Sequence, residues 1–345
     1  DVYKRQDNSG LPSIEPPPEA ITEPTPPPGP PLNFFQRVMF KALIGGLWLA
    51  RKLPDRPLYR AAFAIGAGLY LLLPERRVLV RSNLQRVCDY LVANDKATPR
   101  VARAARDRVA MDRLVRDAFG HWVVSYAEAA LGPRYSPEQL EERVKTIDPE
   151  ASREAITARP EGEVGLIHMA MHFGSVDLSA LYGARVGELP MTGPMEFVEA
   201  PFARAYFERA RNELDVTIVP LEGAAEALTK ALERGEAVGI VADRNIVGRG
   251  RRMDLFGATM RLPVGPAMLS VQTGAPLYLQ ALGRDGPGDW IGHTIRLRPP
   301  EGASRKEATR SLLEQEARAF ERVIARAPEQ WVTLFFPIWE EEDET

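Results

Sequence analysis

His172 opens the run His172-Phe173-Gly174-Ser175-Val176-Asp177, which sets a carboxylate five positions after an imidazole. The apolar residues 164–171 ahead of it read as a buried strand, and those from Ser175 onward read as a helix start. A histidine at the carboxyl end of a strand, with an acid one turn into the next helix, suits general-base work on a hydroxyl. A neutral imidazole in that role presents one nitrogen to the alcohol. Its other nitrogen needs a partner that fixes the tautomer and stabilises the imidazolium that forms. Asp177 is the first candidate for that partner. Asp243, which follows the strand-like run 237–242, is the second. The plainer alternative is a histidine that caps the helix or is satisfied in a polar core.

Other chemistries fit less well. His168 and His172 are four apart, the spacing of two ligands on a helix, but this segment reads as strand to loop, and no His-Glu-x-x-His run is present. No metal is therefore expected. The chain has one cysteine, Cys88, so it can build neither a disulfide framework nor a cysteine metal site, which fits a reducing compartment. There is no Gly-x-Ser-x-Gly run for a serine hydrolase and no phosphate loop. Gly66-Ala67-Gly68 lacks the preceding strand that a dinucleotide site requires. A second cluster does stand out. Asp243-Arg244 opens a stretch containing Arg249, Arg251 and Arg252, followed by Asp254-Leu255-Phe256-Gly257 and Arg261-Leu262-Pro263. Arginines this dense can grip a phosphate through charge-assisted hydrogen bonds, and Arg261 leads into a helix whose first amides favour an anion. The alternative is an exposed loop kept soluble by its arginines.

These residues need a frame. Proline dominates residues 10–31, so residues 1–31 read as an extended or disordered arm. Residues 32–131 read as helical, punctuated by Pro54, Pro74 and Pro99. Residues 132–339 read as an α/β core, with strand-like runs at 164–169, 216–221, 237–242, 275–282, 293–298 and 331–335 and a weaker one at 189–192. Helices at 201–214, 224–234 and 263–273 fall between them. This alternation predicts a mostly parallel sheet wrapped by helices. Ligands then bind at the carboxyl ends of the strands, where His172 and Asp243 both fall. Residues 340–345 read as a solvated acidic tail.

The chain is 45% hydrophobic and 26% charged with a net charge of −3, so nothing calls for nucleic acid. The apolar run 61–73 is closed by Pro74 and falls short of the roughly 20 residues a membrane span needs. The run 38–50 is broken by Lys41, and no cleavable signal peptide is expected. Residues 32–60 interleave Arg37, Lys41, Arg51, Lys52, Arg56 and Arg60 with Phe34, Phe35, Met39 and Trp48, against Asp55 alone. That pattern suits a helix lying on anionic lipid, or an amphipathic helix docked on its own domain. The arginines of 100–116 read as a solvated face.

Taken together the motifs resemble the lysophospholipid-acyltransferase-like superfamily, in the branch of lipid A lauroyl/myristoyl acyltransferases and phosphatidylinositol mannoside acyltransferases. They are Arg81-Ser82-Asn83-Leu84, His172 to Asp177, Ala242-Asp243-Arg244, Phe256-Gly257, Leu262-Pro263-Val264-Gly265-Pro266, Glu329-Gln330-Trp331 and Pro337-Ile338-Trp339. The resemblance covers roughly residues 32–339, and the turn at Asp243 looks closer to the mannoside enzymes. It implies a six- or seven-stranded α/β domain with membrane-associating N-terminal helices, held peripherally at the cytoplasmic membrane face. It implies acyl transfer from acyl-CoA or acyl carrier protein, as co-substrate rather than cofactor, to a glycolipid hydroxyl. His172 and Asp177 match the family's catalytic pair. Glu196, with Glu199 as competitor, matches its acceptor-side glutamate, Arg211 its arginine before the third strand, and Asp243 and Arg244 its strand-end acid and arginine. Two positions depart from the pattern: Ser175-Val176-Asp177 stands where many members carry Asn-Trp-Glu, and Asn245 where an aspartate is common.

The expected mechanism has His172 as base, oriented by Asp177 with help from Asp243, and the oxyanion held by amides near Gly174 or by Arg211. Arg252 and Arg261 join the substrate-binding set, and the acyl chain lies between the N-terminal helices and the sheet. A thioesterase using the same pair, and a non-catalytic lipid-binding protein, are the rival readings.

Overall fold

The computed structural model describes residues 33–157, 159–160, 162–195, 216–245, 248 and 250–340. The first part is helical, as its periodicity predicts. Helix α1 (Phe34–Ala50) starts at a capping box in which Asn33 and Gln36 satisfy each other's amides. Helix α2 (Asp55–Leu72) ends at Leu73. Helix α3 (Pro74–Ala93) restarts at once with proline in its first turn, so the pair bends by 103°. No single described helix is long and apolar enough to cross a membrane, although this bent pair passes by length and composition. Helices α4 (Pro99–Arg106) and α5 (Arg108–Leu131) follow. α2 crosses α5 at Gly66 and Gly120: a Cβ on Gly66 would stand 2.7 Å from the Gly120 backbone, and one on Gly120 would stand 2.5 Å from the Phe63 ring of α2.

Beyond the short helices α6 (Pro137–Arg143) and α7 (Pro149–Ile156), the chain builds a seven-stranded sheet of order β1-β9-β8-β2-β5-β3-β4. Its strands are β1 (Val144–Thr146), β2 (Leu166–Gly174), β3 (Met191–Met195), β4 (Val216–Pro220), β5 (Ala237–Val241), β8 (Leu277–Gly286) and β9 (Asp289–Leu297). Every pairing is parallel except β8 with β9. Helices α8 (Val176–Val186), α9 (Ala224–Glu233), α10 (Gly265–Thr273) and α11 (Arg305–Ile324) complete the described α/β part. The expected mixed α/β fold with a mostly parallel sheet is therefore present.

Central strand β2 is buried on both faces. Its odd residues Ile167, Met169, Met171 and Phe173 enter the main core with Leu84 of α3, Phe119 of α5 and Phe320 of α11. Its even residues His168, Ala170 and His172 line a cavity beside α8.

Two stretches differ from expectation. Residues 331–335 are not a strand. They form the 3₁₀ turn Val332–Phe335, preceded by the turn Pro328–Gln330, and only an isolated bridge joins Trp331 to Phe173. A short buried apolar run has the same pattern in either conformation. What holds it as a turn comes from α3: Asn83 donates to the carbonyls of Leu334 and Phe336, and Arg76 to that of Phe335. The arginine-rich stretch after β5 is not simply a loop. It contains the hairpin of β6 (Arg251–Leu255) and β7 (Ala258–Leu262), turned at Phe256 and Gly257, both with positive φ. That backbone is the mirror-image turn that two-residue hairpins favour.

Candidate active site

His172 Nδ1 lies 2.7 Å from Asp243 Oδ1. Asp243, at the end of β5, is 1% exposed. Its second oxygen accepts from Trp331 Nε1 at 2.8 Å and from Thr333 Oγ1 at 2.6 Å. Burial works to raise this carboxyl's pKa. The His172 charge and the hydrogen bonds from His172, Thr333 and Trp331 outweigh burial and hold it down to about 2. An ionised carboxylate can only accept, so in the neutral ring Nδ1 carries the proton and Nε2 keeps the lone pair. The His172 side chain is 29% exposed and faces a cavity of 290 Å³. This is the arrangement general-base catalysis needs: a basic nitrogen at an open site and a buried anion behind it.

The local fold aims the ring. Ala170 pairs with Gln280 of β8 and Gly174 with Leu282, so four residues of β2 run where β8 uses two. Bulges of this kind re-aim side chains beside functional sites. Gly174, at φ +57°, lies so close to β8 that a Cβ would stand 1.9 Å from the Leu282 carbonyl. Its own carbonyl accepts from Arg284 at 2.7 Å. That guanidinium is fully buried and paired with Glu128 of α5. Gln330 then clasps the Arg284 backbone through both its amide and its carbonyl. The bulge is thus tied to an N-terminal helix and to the turn that supplies Trp331 and Thr333.

Several sequence-based assignments change here. Asp177, ranked first as the partner of His172, sits in the first turn of α8 and lines the same cavity, but the Nδ1 bond goes to Asp243. Proximity in sequence favoured Asp177, whereas parallel pairing of β2 with β5 sets Asp243 beside the ring. The Ser175 amide, one of those near Gly174 considered for the oxyanion, is already donated to the Leu282 carbonyl. His168 does share the cavity with His172, because four residues apart on a strand is the same face. That spacing is roughly 13 Å, too far for one metal. His168 instead donates Nε2–H to the Ala155 carbonyl, and burial drops its pKa to about 4. Among the described residues no cluster of three metal-ligating side chains occurs.

Arg244 stacks on Phe336, 3.7 Å from the ring centroid. Arg252 and Arg261 face each other across the β6–β7 hairpin, and Glu340 bridges them with 2.6 Å contacts from each of its oxygens. The first residue of the supposed solvated tail thus occupies the fork assigned to a phosphate. Glu196, Glu199, Arg211 and Arg249, and the helix expected at 201–214, lie outside the described residues.

The cavity does not lie between the N-terminal helices and the sheet. It lies beside α8 and is mostly apolar: Ala170, Val176, Ala180, Met191, Pro194, Val216, Ile218 and Val241 line it, with Gly193 and Gly239 leaving space. Residues 30–339 match the family of bacterial lipid A biosynthesis acyltransferases.

The chain belongs to that acyltransferase family. It lies in the lipid A and phosphatidylinositol mannoside branch of the superfamily its motifs resemble. The phosphatidylinositol mannoside acyltransferase of Mycolicibacterium smegmatis is 26% identical over 227 residues, 65% of this chain and 71% of that protein. Its counterpart in Mycobacterium tuberculosis is 38% identical over 71 residues, 19% of this chain and 22% of that protein. Among solved structures, the 1-acyl-sn-glycerophosphate (LPA) acyltransferase PlsC of Thermotoga maritima is similar at 15% identity and a TM-score of 0.32, over 72% of this chain and 98% of that one. A likeness so distant carries no argument. Trp331 and Thr333, the supports of Asp243, were missed as functional residues. Their one sequence signal was the family motif Glu329-Gln330-Trp331.

Proposed function

We propose that this acyltransferase moves a fatty acyl group from acyl-CoA or acyl carrier protein to a hydroxyl of a membrane glycolipid. The acceptor is of the phosphatidylinositol mannoside or lipid A-precursor class. The observation that carries the reading is the His172–Asp243 pair at the apolar cavity. His172 Nε2 takes the acceptor proton as the oxygen attacks the thioester carbonyl. Asp243 balances the imidazolium. The tetrahedral intermediate collapses with loss of the thiolate, which recovers the proton from Nε2. The acyl chain lies along β2, β5 and β3 in the cavity, and Asp177 stands at the same wall to meet the acceptor. No cofactor is needed, since the thioester supplies the driving force.

The enzyme works peripherally at the cytoplasmic membrane face. Exposed Phe34, Phe35, Val38, Met39, Trp48 and Leu49 of α1, and Leu71 and Leu72 at the end of α2, support that placement. The test is transfer of label from palmitoyl-CoA or palmitoyl-carrier protein to a panel of phosphatidylinositol mannosides, lysophospholipids and a lipid A precursor. Transfer to one acceptor, lost in His172→Ala, is expected. Equal silence of parent and variant with both donors would overturn the reading. Release of free fatty acid alone would replace it with a thioesterase.

A further inference from the structure

The sheet has a second cavity that acyl transfer does not use. β1 accompanies β9 only as far as Gly292, whose carbonyl accepts from the Ile147 amide. Beyond that point, residues 293–297 of β9 form the outer edge of the sheet. A 380 Å³ cavity straddles this edge, with the start of α7 as one wall and the end of α11 as the other. It shares no lining residue with the His172 cavity. His293 stands two strands from β2, about 10 Å by ordinary strand spacing, and packs edge-on against Phe173, which points away from the His172 face.

The charges lining this cavity are unevenly satisfied. Arg296 is ion-paired with Glu154, and Asp148 is turned to the Ala151 amide as the cap of α7. Among the described residues Arg298, Arg322 and Arg326 have no ion-pair partner, and the carboxylates of Asp148 and Glu150, which line the same cavity, have no cationic partner either, so three guanidinium groups face two acids. At the floor, His293 is 7% exposed, and neither ring nitrogen has a hydrogen-bond partner among the described residues. Burial, with Arg326 and Arg322 beside it, lowers its pKa to about 4, so the ring is neutral and one nitrogen remains a donor. Arg298, Arg322 and Arg326 are exposed and hydrated, but they bring three positive charges to the mouth of one cavity whose floor holds a buried neutral imidazole, and such a cluster attracts an anion. One guanidinium fork satisfies a carboxylate. Three such groups and an imidazole around one space match the oxygens of a phosphate.

We propose that this cavity binds a phosphate monoester, gripped by Arg298, Arg322 and Arg326 with His293 at its floor. The site is separate from the acyl-transfer centre, so its test does not depend on that reading.

The experiment is calorimetric titration of the full chain with inorganic phosphate and with glycerol 3-phosphate, beside flotation with phosphatidylcholine vesicles with and without phosphatidic acid. The Arg322→Gln/Arg326→Gln variant should weaken the phosphate-dependent signal roughly tenfold or more. Arg305→Gln, at the far end of the same helix, should leave it unchanged. Both carry exposed substitutions, and matching melting curves establish that they fold. If soluble phosphates bind and the double variant loses them, the ligand is a free phosphate monoester. If only phosphatidic acid vesicles distinguish parent from variant, it is a lipid headgroup. No binding of any probe at millimolar concentration, or equal binding by parent and double variant, would overturn the proposal.

Discussion

Asp243 keeps a negative charge in a place where burial alone would remove it, and it does so because three donors converge on its two oxygens. Removing the base, His172→Ala, should lower the transfer rate on the order of 100- to 10,000-fold. Asp243→Asn should fall in the same range, since an amide can donate to Nδ1 and so select the wrong tautomer. Thr333→Val and Trp331→Phe should act differently. Each takes one donor from Oδ2 and lets burial lift the pKa of Asp243 from about 2. The carboxylate must be ionised to hold the ring, so the acid limb of the kcat/KM profile should move to higher pH in both variants. An unmoved limb would mean these two side chains only pack. Asp177→Asn should raise KM for the acceptor more than it lowers kcat, because Nδ1 is held elsewhere.

At the scale of elements, the site depends on how α3 grips the 3₁₀ turn Val332–Phe335. Asn83 is buried and satisfies two carbonyls of that segment. Asn83→Ala leaves both unpaired and should cost about 2–4 kcal/mol of stability. It should also loosen Thr333, so urea unfolding and the pH profile should change together.

The same elements show what could be read in the chain beforehand. Strand-end placement of His172 and Asp243 followed from apolar runs and the rule for parallel sheets, and both sit there. The pairing between them was not legible, because it depends on β5 lying directly beside β2, and strand order leaves no local signature. The hairpin β6–β7 was hidden because its arginines alternate with few apolar residues, and charge density outweighed the Phe256-Gly257 turn signal. Glu340 looked like the start of a solvated tail, since its partners Arg252 and Arg261 lie 88 and 79 residues away.

Across the whole molecule, one buried acid sets a pH dependence of stability. Both oxygens of Glu316 on α11 lack a hydrogen-bond partner among the described residues. Burial, and secondarily the negative Asp243, raises its pKa well above 4.5. The native state therefore holds a proton that the unfolded chain releases near 4.5, and this contribution to stability declines as pH rises from there toward the folded pKa. Between pH 5 and pH 8 the urea midpoint of the parent should fall more than that of Glu316→Gln, which has no proton to lose. At the other end of the molecule, Phe34→Glu with Phe35→Glu should weaken flotation with anionic vesicles, while transfer to a short soluble acceptor stays unchanged.

The distances along the chain within the catalytic cage have a consequence in time. Seventy-one residues separate His172 from Asp243, and ninety more separate Asp243 from Thr333. A ribosome adding about 5–20 residues per second delivers the histidine many seconds before the last donor. During that interval the nascent chain has an imidazole but no caged anion behind it. The chain can bury its helices and begin its sheet before this cluster exists, and the donors to Asp243 are complete only once Trp331 and Thr333 have been added.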